Sequence, residues 1–432
     1  MQKRRSSGSM RRWSYERPTL SGLHAGPICR RPLLAAVALL AALPAAGRGA
    51  DPTTAAAPLL HSDFHGAPDA EGWQGSPPPD AFAGVKVRLD GDPDEHGVRI
   101  KSGILSSPAF DVEPFAYYRV RLLAKGVDGG HWAVSFRDAA GKDIVADDYD
   151  AIDPAPDWRP CELCFRGHAD ARTARIHLRR DYTSAAAAPL ELKNVRVEKI
   201  TAAEAAAWAA GLAAACPVVR FEPAADRWRH LPKSMAKLAA GDRLRIVMLG
   251  DSICNDTSNS LYETLIAERY PGARIEVVTS VLGGTGCRHY KDENRVQPFV
   301  LDYRPDLVII AGISHDFDVD AIRSVVRQIR TRCDCEILVT NGAVAPWKVL
   351  EPAFLKRHKA GSALDQMEGF GTALAAMCRA EEVEFFDTRQ AWDDYVLRSH
   401  APVEHFLRDD IHANGRGKAV LGRIMGRYFA PR

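Results

Sequence analysis

What this 432-residue chain has little of narrows the field first. It carries nine cysteines, too few for its length to form the disulfide framework that holds small secreted domains together. Glycine and proline, at 33 and 27 residues, show nothing that suggests a collagen-like, disordered or coiled-coil chain. Beyond residue 50 no apolar run reaches membrane-spanning length. A real excess of positive charge is also missing. The formal charge is +2, yet the first 50 residues hold nine Lys and Arg against one Glu; without them 48 bases face 54 acids. A mildly acidic protein has no electrostatic reason to seek nucleic acid.

What is present divides along the chain. Residues 1–50 read as a signal peptide: Arg30 and Arg31 precede the apolar run Leu33 to Ala46, and small residues follow it. The basic stretch before Arg30 is long for such a signal, and Met10 is a candidate for the true start. Export to the periplasm or the exterior is expected, with no stable membrane insertion once the signal is removed. Residues 51–60 form a Pro/Ala linker. Residues 61–200 alternate apolar and polar with period two, as in Val85, Val87 and Leu89, or Tyr118, Val120 and Leu122, or Trp132, Val134 and Phe136. Turn segments such as DGDPDEHG and KGVDGG punctuate them, which predicts an antiparallel all-β sandwich. Trp73, Trp158, Tyr117 and Tyr118 are candidates for stacking on sugar rings; Trp132, in phase with its apolar neighbours, belongs to the core.

A capping box at Thr201 and Glu204 opens an alanine-rich helix to about Cys216. The stretch to residue 242 is polar and irregular, so 201–242 reads as a helical linker. From 243 to 432 the rhythm becomes strand, loop, helix. Apolar strands at 245–249, 274–279, 307–311, 336–340 and 383–386 alternate with helical patterns, which implies an α/β domain on a parallel sheet. Chemistry in such a sheet sits at the carboxyl ends of the strands.

Ser252, in Gly250-Asp251-Ser252, lies just past the end of the first of these strands. A serine hydroxyl needs a base to become a nucleophile, and the base needs an orienting carboxylate. The C-terminal stretch RDDIHANGRG offers Asp409 and His412, three residues apart. Gly250-Asp251-Ser252 and Asp409-x-x-His412 together resemble the first and last blocks of the GDSL/SGNH hydrolases, over residues 243–432. The resemblance implies a three-layer α/β/α fold, Ser252 as nucleophile, His412 as base and Asp409 as the orienting carboxylate; Asp410 is the rival at a less fitting separation. It also implies an oxyanion hole from the amides of Ser252 and of a glycine after the second strand, Gly284, with Gly283 and Gly286 as alternates. The family's Gly-x-Asn block after the third strand departs here: Gly312 matches, but Ser314 holds the asparagine position. Ser314 is the expected donor in its place, with Asn255 and His315 as alternates. The sandwich is similar in texture to the jelly-roll modules that accompany secreted carbohydrate-active enzymes.

The remaining polar residues have plainer roles. Asp251 is expected to accept backbone amides at the turn, and Asp316, Asp318 and Asp320 to complement a helix dipole. His289 and Tyr290 are candidates for the cleft or for the surface. Cys254 lacks a paired base of its own. Cys161 with Cys164, and Cys333 with Cys335, lack the ligands of a zinc site even with His168 nearby, so no metal and no cofactor is expected. Taken together the sequence points to a secreted esterase acting on an acylated carbohydrate. A non-catalytic glycan-binding protein on a hydrolase scaffold, or a sugar O-acetyltransferase, stays open.

Overall fold

The computed structural model describes residues 57–64, 71–76, 97–180, 188–218, 221–343, 363–409 and 411–432. The signal segment, the alternating run at Val85, Val87 and Leu89, and Asp410 lie outside them.

Among the described residues eleven strands precede the first α-helix: β1 (Leu60–Ser62), β2 (Gln74–Ser76), β3 (Val98–Ile100), β4 (Gly103–Ser106), β5 (Phe110–Asp111), β6 (Tyr117–Gly126), β7 (Gly130–Arg137), β8 (Asp143–Ile152), β9 (Ala155–Arg166), β10 (Thr173–Arg180) and β11 (Leu190–Ile200). They form two antiparallel sheets, β1-β11-β6-β9 and β2-β4-β10-β7-β8, with β3 and β5 as short additions. The two-residue alternation sends Tyr118, Val120 and Leu122 of β6, and Ile176 and Leu178 of β10, into one shared core with Trp73 and Trp132. Burial of both faces of that interior is what holds the sheets together. Two of the aromatics expected to meet sugars are spent on it. Trp73 is buried and donates its indole N–H to Ser62 Oγ at 2.8 Å, and Tyr118 is buried against Phe165 with ring centroids 5.2 Å apart.

Helix α1 (Ala202–Ala214) starts on the expected capping box, Thr201 and Glu204 satisfying each other's backbone amides. The stretch read as irregular contains a second helix, α2 (Pro232–Ala240). Pro232 stands at its first position, where a missing N–H costs nothing, and Gly241 closes it in the left-handed conformation.

Among the described residues five parallel strands follow: β12 (Arg243–Gly250), β13 (Arg274–Val281), β14 (Leu307–Ile310), β15 (Glu336–Thr340) and β16 (Glu384–Phe386), in the order β13-β12-β14-β15-β16. Among the described residues the α-helices of six residues or more after β12 are α3 (Ser252–Ser258), α4 (Tyr262–Ala267), α5 (Val319–Arg330), α6 (Ala363–Ala380), α7 (Thr388–Ser399) and α8 (Gly415–Tyr428). Ile246, Met248 and Leu338 pack on one face with Trp392 and Ile424 of α7 and α8; Val308, Ile310 and Val339 pack on the other with Val325 of α5 and Leu374 of α6. Helices therefore cover both faces, which is why the strands read as unbroken apolar runs. In this order the direction of winding reverses between β12 and β14, and the crevice beyond their carboxyl ends is the place for a site.

The sandwich is bolted to this sheet by buried polar contacts. Arg166 of β9 pairs with Glu263 of α4, both almost wholly buried, and donates to the Ser258 carbonyl at 3.1 Å. His168 Nε2 meets the Thr279 carbonyl at 3.0 Å. Along β8, Lys418 of α8 pairs with the buried Asp148, the Gly415 amide donates to Asp150 at 2.6 Å, and Arg416 forks onto Asp153 at 2.8 and 3.1 Å. Removing one member of such a pair strands its partner's charge out of water, at about 3–5 kcal/mol.

Candidate active site

Three loops meet beyond β12, β13 and β14. The first leaves β12 at Gly250, where an added Cβ would lie 2.1 Å from the Ala311 carbonyl oxygen, so nothing larger fits. Asp251 caps α3, taking the amides of Ile253 and Cys254 at 2.9 and 3.2 Å on one carboxylate oxygen. Its other oxygen takes the amides of Ile313 and Ser314 at 2.7 and 2.6 Å. One buried carboxylate thus fixes both the turn carrying Ser252 and the loop after β14, and charge-assisted bonds of this type are the strong ones. Gly312 makes the approach possible: φ is +115°, and the Asp251 carboxylate occupies the space a Cβ would need. The expectation for Asp251 understated its reach.

Ser252 is the first residue of α3, and its Oγ lies 2.9 Å from His412 Nε2. His412 Nδ1 faces both carboxylate oxygens of Asp409, at 3.0 and 2.8 Å. Asp409 also accepts the amides of Ile411 and His412 at 2.9 and 2.8 Å. Burial on its own raises this carboxyl, but the bonds from the His412 ring and the two amides outweigh it and hold Asp409 well below the usual carboxylate range. It stays ionised wherever a histidine can serve as base. The sequence placed these three side chains together, and the fold brings them within hydrogen-bonding reach across 160 residues.

The loop after β13 is tied to the same turn. The Gly250 carbonyl accepts the Leu282 amide at 3.1 Å and the Tyr290 hydroxyl at 2.6 Å. Tyr290 is therefore buried support rather than cleft wall. Gly284 has φ +67°, and a Cβ there would meet no atom within 4 Å, so the loop opens on free space at this residue. Gly283 is equally open, whereas Gly286 lies against Ser314, whose carbonyl oxygen would stand 2.0 Å from an added Cβ. Gly286 is a packing glycine.

Of the alternates for the expected third oxyanion donor, Asn255 is committed elsewhere and His315 is engaged through its Nδ1. Asn255 is buried, donates its Nδ2 to the Asp147 carbonyl of β8 at 2.7 Å and accepts from Asn259 at 3.1 Å. His315 is buried and its Nδ1 accepts the Cys287 amide at 3.2 Å; burial pushes its pKa down. Ser314 has its amide on Asp251 and its side chain half-buried. Cys254 is wholly buried, and burial pushes its thiol well above the ordinary value, so it is no nucleophile at neutral pH. Asp318 caps α5, and Arg288 spans Asp316 and Asp318 at 3.2 and 2.8 Å.

One residue of the site escaped the sequence. Asp256, wholly buried, accepts Arg408 Nη1 at 2.8 Å and the Ala413 amide at 2.9 Å. It ties α3 to both ends of the loop carrying Asp409 and His412. Its signal was only a position one turn after the nucleophile, with a partner 152 residues away. Among the described residues no cluster of three or more His, Cys, Asp and Glu side chains is arranged to hold a metal ion, and no helix is long and apolar enough to cross a membrane.

Neither a family model nor a curated protein matches the sequence. Solved structures do. The active domain of tailspike protein 4 from bacteriophage CBA120 is 17% identical, with a TM-score of 0.27 over 32% of this chain and 20% of that one. A two-domain esterase active on acetylated mannans, co-crystallised with mannopentaose, is 19% identical, with a TM-score of 0.37 over 47% of this chain and 53% of that one. A catalytic mutant of an acetylxylan esterase from Geobacillus stearothermophilus is 18% identical, with a TM-score of 0.35 over 44% of this chain and 95% of that one. This chain thus spans about a fifth of the tailspike domain's chain and about half of the mannan esterase. At such identities and TM-scores none of these likenesses assigns an activity to this chain.

Proposed function

We propose that the protein is a secreted serine esterase of the SGNH/GDSL type, which removes acetyl or other short acyl groups from a polysaccharide through an acyl-enzyme. The observation that carries this reading is the unbroken relay from Ser252 Oγ through His412 to Asp409, with steps of 2.9 and 2.8 Å. Ser252 attacks the ester carbonyl while His412 Nε2 takes its proton. Asp409 holds the Nδ1–H tautomer and stabilises the imidazolium that forms. The amides of Ser252 and Gly284, with the Ser314 hydroxyl, receive the oxyanion. His412 then protonates the leaving alcohol, and water, deprotonated by the same ring, releases the carboxylic acid. A carbohydrate substrate is supported by the sandwich, whose strand β8 runs directly beside α3.

Acetate release from a panel of acetylated glycans, together with hydrolysis of p-nitrophenyl acetate, tests the reading against a Ser252→Ala control. Turnover abolished by the substitution supports it. A folded wild-type protein no faster than that control on every ester overturns it and leaves a glycan-binding protein on a hydrolase scaffold. One observation speaks for that second reading: the amides of Ile313 and Ser314 are bonded to Asp251, so neither is free to receive the oxyanion.

A further inference from the structure

Exposed aromatic rings are scarce in this protein, and where they stand is informative. Tyr117 is half-buried and donates its hydroxyl to Glu263 at 3.2 Å, and Trp158 is half-buried beside the Lys193 ammonium. Among the described residues the exposed aromatic side chains are Tyr149, 36% accessible, and Phe317, 49% accessible. They belong to different parts of the fold, the sandwich strand β8 and the loop after β14. Each nevertheless sits beside a group of the proposed catalytic site.

Tyr149 lies under the triad loop. Its ring centroid is 5.7 Å from the guanidinium of Arg408, the residue before Asp409. Its hydroxyl donates to Asp147 at 2.8 Å, and the Asp147 carbonyl in turn holds Asn255 of α3. Val145, two residues before Asp147 on the same strand, is 61% accessible. Phe317 follows Ser314 by three residues. It has φ +56° directly after Asp316 at +49°, two successive non-glycine residues in left-handed backbone. Arg288 clamps the acids on either side, and Phe370 meets the Phe317 ring edge-on at 5.5 Å. Left-handed backbone is disfavoured for both residues, and leaving a phenyl ring in water forgoes its burial. Strained backbone of this kind clusters at active sites and ligand clamps.

We infer that Tyr149 and Phe317 are platforms on which separate pyranose rings of an acylated polysaccharide rest while Ser252 attacks its ester; this rests on the esterase reading above. A pyranose offers a flat C–H face and a rim of hydroxyls. Tyr149 with the Asp147 carboxylate presents the matching pair, an aromatic face beside a hydrogen-bond acceptor. A protein partner fits less well. It needs a continuous surface of about 800 Å², whereas each ring here stands among charged side chains: Asp147 and Arg408 at one, Arg288, Asp316 and Asp318 at the other.

The test uses the full chain with Ser252→Ala, so that substrate is bound and not consumed. Binding of acetylated xylan and acetylated glucomannan is measured by affinity electrophoresis or calorimetry, alone and with Tyr149→Ala or Phe317→Ala added. Each ring removed is expected to weaken binding of the preferred polymer about 5- to 10-fold, and Tyr149→Phe and Phe317→Tyr are expected to restore most of it. In the active enzyme the ratio of kcat/KM on polymer to kcat/KM on p-nitrophenyl acetate should fall by a similar factor. Unchanged binding, no binding of either polymer, or equal losses on both esters overturns the inference. So does a change in sedimentation on removing either ring, which would make the occupant a second protein. If the wild type hydrolyses neither ester, the esterase reading fails separately, because the binding arm needs no turnover.

Discussion

Asn255 of α3 donates its side-chain amide to the backbone carbonyl of Asp147, a residue of the sandwich, at 2.7 Å. An asparagine one turn beyond the serine is thus spent on joining two layers of the fold and is not aimed at substrate. Asn255→Ala is expected to lower unfolding free energy by about 1–3 kcal/mol, the cost of a buried carbonyl left without its donor, while kcat falls only slightly. Urea unfolding and kcat on p-nitrophenyl acetate check it together. A hundredfold loss in kcat with unchanged stability would return Asn255 to the oxyanion hole.

Ser314→Ala isolates the hydroxyl that stands where an asparagine was expected. With Asn255 engaged elsewhere and His315 buried, the Ser314 hydroxyl is the side-chain donor expected to reach the oxyanion. The expected outcome is a drop in kcat on the order of tenfold or more with KM nearly unchanged, the signature of a bond made in the transition state. A kcat equal to wild type would leave the oxyanion to backbone amides alone.

Acid should silence the enzyme in one step. Asp409 is held below the usual carboxylate range, so its contribution to stability is present above the unfolded carboxyl's pKa and is lost only as pH falls through the depressed folded value. Asp409 is therefore expected to add no ionisation of its own to the acid limb of log kcat/KM, whose slope should not exceed one. A slope of two would show Asp409 titrating in the same window. Asp409→Asn removes the acceptor that selects the tautomer and should cost on the order of 10³–10⁴-fold in kcat.

Asp256 makes a prediction about stability with a kinetic echo. It is wholly buried, and its partner Arg408 is 8% accessible. Asp256→Ala strands that cation and also the Ala413 amide, at about 3–5 kcal/mol. Urea unfolding reads the first effect. Single-turnover kinetics read the second, since the loop of Asp409 and His412 loses its anchor to α3. Combining the change with Arg408→Met should recover part of the stability, because no buried charge is then left unpaired.

The legible parts of this protein were the local ones. Period-two alternation at Tyr118, Val120 and Leu122 and the apolar runs of the parallel sheet depend on a few consecutive residues, and both appear as read. Ser252, Asp409 and His412 were legible because two short spacings constrain them. The sandwich aromatics were not. Trp73 stands just before β2, so whether it faces core or solvent depends on how that strand pairs with β4, and nothing in its own neighbours settles that. Helix α2 was hidden by its lysines and its proline, which read as loop until the proline is seen at the first helical position. Asn255, Asp256 and His315 were beyond reach for a simpler reason: their partners lie 28 to 152 residues away, at Cys287, Asp147 and Arg408.

Accessory domains are often exchanged between enzymes by recombination, and the seam along β8 and β9 makes that exchange costly here. A crossover near residue 200 that brought in a foreign sandwich would deprive Glu263 of Arg166, Lys418 of Asp148 and the Thr279 carbonyl of His168 at one stroke. The two halves are therefore bound to be inherited as a pair. Among descendants of this chain, a change at position 148 should be answered by a change at 418.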